Sequence, residues 1–388
     1  MTVSSSHSVP AEAALLTTLS PAAQLPVELV RGEGARLFDA EGRAYWDFYG
    51  GHAVALLGQG HPGWVAAIAE QASTLSFVTT VAPLAVRERA SAALAAFSGM
   101  DRVFFVNSGA EANEAALKVA RKATGRGVVI AMETGFHGRT MACLGVTGSG
   151  HYRTDHSPIH GTTRFVPLGD LEALKAALDE DVAAVIVEPL QGIAGVLEPP
   201  EGYLAAVQEA VHACGALLIL DEIQTGVGRT GAPFRFHTEG LSPDLVTCGK
   251  SLGNGFPVAA LLLTEAMANT TAPGEHGTTF GGAPLACAAV EAVLTAIADE
   301  DLLARATAIG ERIRGLARLP GVEQVRGAGC LLGVVLDRPA KPVAAALLEA
   351  GFVTATANDP HCLRLCPPAV LPDEALDALE TALTQALS

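Results

Sequence analysis

"LLILDEIQTGVGRTG", residues 217–231, is the stretch on which the fold turns. Apolar residues fit for a buried strand end abruptly in two acids, Asp221 and Glu222, followed by Gln224 and a glycine-rich run. Burying a carboxylate is costly unless something pairs with it. The strand therefore raises the question of which cation waits for its terminal acid.

Outward from this stretch the pattern repeats. "RVFFVNSG" (102–109), "GVVIAMETG" (127–135), "VAAVIVEPL" (182–190), "DLVTCGK" (244–250) and "VAALLLT" (258–264) read as strands. Between them, "AEANEAALKVARKATG" (110–125), "LEALKAAL" (171–178) and "YLAAVQEAVHACG" (203–215) read as helices. Continuous apolar strands alternating with helices predict an α/β fold with a mostly parallel sheet covered on both faces. Such sheets place ligands at the carboxyl ends of their strands, where this chain carries Ser108, Glu188, Asp221 and Lys250. After about residue 280 the rhythm changes to helices over 284–317, a Gly-rich stretch at 326–333 and a final helix from about 372. The expected division is a large domain over 61–279, a smaller α+β domain from 13–60 and 280–388, and a flexible tail over 1–12.

Composition narrows the function. With 25 Lys and Arg against 41 Asp and Glu, the 388-residue chain has a formal charge of −16, which argues against nucleic acid or an anionic membrane as partner. An anionic substrate must then be caught by a few well-placed arginines. Seven scattered cysteines without a Cys-x-x-Cys pair suit reduced thiols in the cytoplasm. His361, Cys362 and Cys366 read as an incidental cluster, so no metal is expected. No apolar stretch is long enough to span a bilayer, and the first dozen residues do not resemble a signal peptide.

Two motifs have a bland and a functional reading. Ser108-Gly109-Ala110-Glu111 has the spacing of a capping box, and the same free amides at a positive helix end suit a phosphate. "GQGHPG" (58–63) matches the dinucleotide pattern through Gly58, Gly60 and Gly63, but the acid expected about 20 residues on is missing. Pro62 also stiffens the loop, so a turn is the better reading. Asp221 has three open roles: metal ligand, general base, or counter-ion to a buried cation. Lys250, 29 residues on at another strand end, is either a lysine reaching solvent or a buried amine nucleophile. A lysine for an aldehyde, an acid for a pyridinium nitrogen and a helix N-terminus for a phosphate together fit pyridoxal 5′-phosphate.

The chain resembles the class III aminotransferases of fold type I, most closely their acetylornithine branch, from about residue 25 to the end. The motifs are "YWDFYGGHAVALLGQGHP" (45–62), "NSGAEANEAALK" (107–118), "FHGRT" (136–140), "EPLQG" (188–192), "DEIQTGVGRTG" (221–231), "GKSLGNGFP" (249–257), "HGTTFGG" (276–282) and "LRLCPP" (363–368). The resemblance implies that Lys250 holds the cofactor's aldehyde, Asp221 its ring nitrogen, Gln224 its phenolic oxygen and Phe136 its ring face. Glu188 is counted with these cofactor-binding residues. Ser108, Gly109 and Ala110 would hold the phosphate, joined by Thr279 from the other subunit of a homodimer. Arg139, with Thr278, would bind the substrate carboxylate, and Arg364 that of 2-oxoglutarate. His137 is open between packing on the cofactor and a structural hydrogen bond.

Three departures bear on the substrate. Ile193-Ala194-Gly195 replaces the family's Glu-Gly-Gly, Ala283 replaces an Asn, and Gln59-Gly60 stands where a His is common. In the wider family that Glu can pair with the arginine matching Arg364, which Ile193 cannot do. The expected activity is transfer of the terminal amino group of N-acetylornithine or N-succinylornithine to 2-oxoglutarate. Other class III ω-aminotransferases and a same-fold aminomutase compete with it, as does a dinucleotide-dependent dehydrogenase from another class. A pyridoxal-binding regulator is disfavoured by the lack of a basic patch.

Overall fold

The computed structural model describes residues 25–150, 152 and 162–388. The expected tail over 1–12 lies outside the described residues. Among the described residues fifteen strands follow in order. The first three are β1 (Leu29–Glu33), β2 (Arg36–Asp39) and β3 (Ala44–Asp47). Then come β4 (Arg102–Val106), β5 (Val128–Met132), β6 (Thr163–Val166), β7 (Val182–Val187), β8 (Leu217–Asp221), β9 (Leu245–Cys248) and β10 (Ala259–Leu263). The last are β11 (Val322–Ala328), β12 (Leu331–Leu336), β13 (Phe352–Val353), β14 (Ala355–Thr356) and β15 (Cys362–Leu365).

Strands β4 to β10 form one sheet in the order β4-β10-β9-β8-β7-β5-β6. Neighbours from β9 through to β6 pair in parallel, whereas β10 runs antiparallel to both β9 and β4. The physical reason is the link from Cys248 to Ala259, which is too short to hold the covering helix that a parallel crossover needs. Every residue of β7, β8, β9 and β10 is buried, as their unbroken apolar runs require. The edge strand β6 is one the sequence pattern did not reveal, because its Thr-Arg-Phe-Val is neither alternating nor wholly apolar.

The helix Gly109–Thr124 shows how local chemistry sets the frame. Ser108 accepts from the Glu111 amide while the Glu111 carboxylate caps the Ser108 amide, and Gly125 ends the helix at φ 69°. A cap of this kind contributes about 1 kcal/mol. The buried face is Ala112, Asn113, Ala115, Ala116, Leu117, Val119 and Ala120, four of them alanines that let the helix lie close on the sheet.

Two further sheets, β1-β2-β3-β13 and β11-β12-β15-β14, are built from the chain's two ends. The Gly-rich stretch at 326–333 is thus part of the antiparallel β11–β12 pair rather than a loop. Backbone bonds from Cys366 to Phe48 (2.7 Å) and from Ala369 to Leu56 (2.8 Å) tie the late chain to the early one. Arg229, from the opening stretch, is fully buried and donates to the carbonyls of Ala53 (3.1 Å) and Cys330 (3.4 Å). It cross-links three segments beneath the lysine loop, using carbonyl oxygens instead of a carboxylate.

Gly58, Gly60 and Gly63 do not follow a strand of the large sheet. Gln59 pairs with Gly34 at the β1–β2 turn, and Pro62 starts a helix over Pro62–Thr74 that His61 caps. A side chain at Gly58 would strike the Gly34 carbonyl at 2.4 Å. The glycines make a turn, as the missing acid indicated.

Candidate active site

Because β7, β8 and β9 are adjacent and parallel, their carboxyl ends bring Glu188, Asp221 and Lys250 to one place. They line a cavity of about 280 Å³ together with Gly109, Phe136 and Gln224. Ala110, His137, Gly138, Ile193 and Ile223 complete its wall.

Asp221 and Glu222 are successive residues and face opposite ways. Asp221 accepts at Oδ2 from Asn113 Nδ2 (2.8 Å) and His137 Nδ1 (2.7 Å), and at Oδ1 from the Ile223 amide (3.1 Å). Burial alone would raise its pKa, but the His137 hydrogen bond and charge, with the Asn113 amide, outweigh it and hold the carboxyl below its usual range. The cation required by the opening stretch is thus, within the chain, His137. Burial opposes that proton too, yet Asp221 holds the imidazole above its ordinary pKa. Glu222 serves the fold: it accepts from the amides of Arg235 and Phe236 (each 2.8 Å) and from Thr225 Oγ1 (2.8 Å).

Lys250 opens a short helical turn, Lys250–Gly253, in the left-handed region at φ 44°. A non-glycine residue held there is strained, and such strain gathers at functional sites. Burial lowers the pKa of its ammonium, against the pull of Asp221 and Glu188. Glu188, which accepts from the Phe136 amide (2.8 Å), is pushed up to about 7 by burial.

The residues fit pyridoxal 5′-phosphate. Gln224 is buried and among the described residues neither its Oε1 nor its Nε2 has a partner, an expensive state that a ligand oxygen in the cavity would relieve. A side chain at Gly192 would collide with Gln224 Oε1 at 1.5 Å, so glycine there leaves the amide its room. A side chain at Gly109 would meet Ile223 at 2.7 Å, so glycine also lets the capped helix come close to the sheet end. The first amides of that helix and an ionised Asp221 would suit the phosphate and the ring nitrogen of such a group.

Other expected residues sit outside the cavity wall. Ser108 is exposed and engaged in its cap. Arg139 is exposed, with its guanidinium 4.7 Å from the Tyr152 ring centroid and 6.0 Å from that of Phe136. Thr278 Oγ1 accepts from Asn107 Nδ2 (3.1 Å) and from the Gly281 amide (3.1 Å), and Thr279 is exposed. Arg364, on β15, is buried and donates to Gly192 O (3.3 Å) and His52 Nδ1 (3.2 Å).

Three site residues escaped the sequence reading. Asn113 donates to both Asp221 and the His137 carbonyl (2.8 Å), and accepts from Thr247 Oγ1 (2.8 Å). Its signal was present: the capping box fixes the helix register and puts this lone amide on the buried stripe. Thr247, within β9, and His52, after two glycines, carried no comparable signal.

The model of the aminotransferase class-III family matches residues 19–387. The acetylornithine aminotransferase of Mycolicibacterium smegmatis is 45% identical over 93% of this chain and 94% of its own. That of Streptomyces coelicolor is 47% identical over 92% of this chain and 89% of its own. Among solved structures, the ornithine aminotransferase of Toxoplasma gondii has a TM-score of 0.92 at 33% identity, covering 97% of this chain and 94% of its own. The chain belongs to the class III aminotransferases, pyridoxal-phosphate-dependent enzymes of fold type I.

Proposed function

We propose that this aminotransferase moves the terminal amino group of an N-acylated ornithine, N-acetylornithine or N-succinylornithine, to 2-oxoglutarate. The products are the semialdehyde and glutamate, in arginine biosynthesis, and the working unit is a homodimer. The observation that carries the donor is Arg364: it is buried, and among the described residues no carboxylate pairs with it. An uncompensated guanidinium repels a free α-ammonium strongly in a low-dielectric pocket and tolerates a neutral acylated nitrogen.

In this reading Lys250 holds the cofactor's aldehyde, Asp221 its ring nitrogen and Gln224 its phenolic oxygen. Phe136 covers its ring face, and Ser108, Gly109 and Ala110 hold its phosphate with the partner subunit's Thr279. Bound there, the cofactor supplies an electron sink for the carbanion beside the transferred amine. The chain's own part is proton management and exclusion of water. Lys250, its pKa lowered by burial, takes up and returns a proton at Nζ. Asp221 keeps its charge because His137 and Asn113 donate to it. Phe136 and Ile193 close the cavity with apolar surface, while Arg139 and Arg364 align the two ends of the substrate.

Single-turnover rates with each amino donor test the assignment. N-acetyl- or N-succinylornithine should show the higher second-order constant, and a higher constant for free ornithine or 4-aminobutyrate overturns it. Borohydride reduction followed by peptide mass spectrometry should place the pyridoxyl group on Lys250.

A further inference from the structure

The segment around Arg364's imidazole partner carries backbone strain at His52 and Ala53. Gly50, Gly51, His52 and Ala53 all have positive φ, between 56° and 66°. Asp47 Oδ1 anchors the run by accepting from the Gly50 amide (2.7 Å) and the Tyr49 amide (3.0 Å). A side chain at Gly50 would strike the Cys366 carbonyl at 2.4 Å, so the loop lies hard against the strand end that carries Arg364. The Tyr49 ring meets His52 edge-on at 4.7 Å between centroids. Such strain persists only where the surroundings over-determine it, and here its result is to point Nδ1 at Arg364.

A guanidinium only donates, so Nδ1 is the bare nitrogen and the ring's proton sits on Nε2. Burial, then the charges of Arg364, Lys250 and Arg139, push His52 down to about 4, so the ring is uncharged at neutral pH. Among the described residues no carboxylate pairs with Arg364: Gly192 offers it a carbonyl, and the charge nearest to it in the site is the like charge of Lys250.

We propose that His52 is a positioning and specificity-determining residue, whose Nδ1 fixes the Arg364 guanidinium without neutralising it. Arg364 then stays unmasked in both halves of the exchange, ready for the acceptor's carboxylate. An acid in the place of His52 would form an ion pair that each dicarboxylate has to break. This inference rests on the reading that Arg364 meets a carboxylate of the acceptor.

The test uses cofactor-loaded enzyme and two unreactive probes, glutarate and butyrate, with dissociation constants from calorimetry. Wild-type protein should bind glutarate more tightly than butyrate. In His52→Asp, an acid oxygen takes the place of Nδ1 and masks Arg364. Glutarate should then weaken by roughly tenfold or more, as loss of a charged hydrogen bond implies, while butyrate changes little. In His52→Asn the amide oxygen takes the same place uncharged, and asparagine tolerates the left-handed backbone. Glutarate affinity should stay within about threefold of wild type, well under a kcal/mol. Unchanged glutarate binding in His52→Asp overturns the role of His52 alone. So does an equal loss of both probes in that variant, or a loss in His52→Asn as large as in His52→Asp. Wild-type protein without a preference for glutarate overturns the placement of Arg364 on the acceptor, and this inference with it.

Discussion

Nδ1 of His137 stands 2.7 Å from Oδ2 of Asp221, and both side chains are closed to solvent. Each holds the other in its charged form against burial: the imidazole is raised and the carboxyl lowered. Among the described residues His137 Nε2 has no hydrogen-bond partner. The acid at the end of β8 is thus kept ionised before any ligand arrives.

Replacing Asp221 with asparagine keeps the shape and removes the charge. Cofactor content, read from visible absorbance, should persist, while kcat falls by about a thousandfold, or roughly 4 kcal/mol of barrier. Near-normal turnover would assign Asp221 a purely structural role.

Asn113→Leu removes a donor that helps to hold Asp221 below its usual range. The Asp221 carboxyl should then titrate higher, moving the acid limb of the pH–rate profile upward. An acid limb that stays in place would limit Asn113 to joining the helix to β9 through Thr247.

Glu188 gives a pH dependence of stability. Its folded pKa, about 7, lies above the ordinary value of 4.5, so the folded chain keeps a proton that the unfolded chain releases. The contribution is full below pH 4.5 and is lost as pH rises through 7. Glu188→Gln stays neutral and should flatten this decline, by on the order of 2 kcal/mol between pH 5 and 8. Denaturant melts of both proteins at the two pH values measure it, and parallel declines would refute it.

Glu222 sits next to Asp221 in sequence and serves a different end. Glu222→Ala leaves the amides of Arg235 and Phe236 and the Thr225 hydroxyl without their acceptor. The expected cost is about 3 kcal/mol, read as a lowered Tm, with much of the turnover per folded molecule retained. Loss of turnover at unchanged Tm would reverse the roles of the two acids.

Thr279 is exposed and does not line its own chain's cavity. If it completes the phosphate site of the partner subunit, mixing inactive Lys250→Ala chains with inactive Thr279→Ala chains restores one intact site per mixed dimer. Recovery of part of the activity is expected in dimers shown to be mixed. No recovery in such dimers would place each site within one chain.

The sequence by itself determined the periodic features. Apolar runs of strand length between helices set the covered, mostly parallel sheet, because each run can be buried only on both faces. The same rule put Glu188, Asp221 and Lys250 at strand ends, and the family motifs named the cofactor that joins them. Only the tertiary structure decided which group answers which. Asp221 and Glu222 are indistinguishable as neighbouring letters, yet the alternation of β8 turns one to His137 and the other to the backbone amides of Arg235 and Phe236. The reversal of β10 depends on the short lysine loop leaving no room for a helix. His52 lies 312 residues from Arg364, and nothing local to "GGHA" marks it as that residue's partner. Hydrophobic period is a property of a segment and is written in it, whereas a hydrogen bond belongs to a pair whose members meet only when the whole chain has folded.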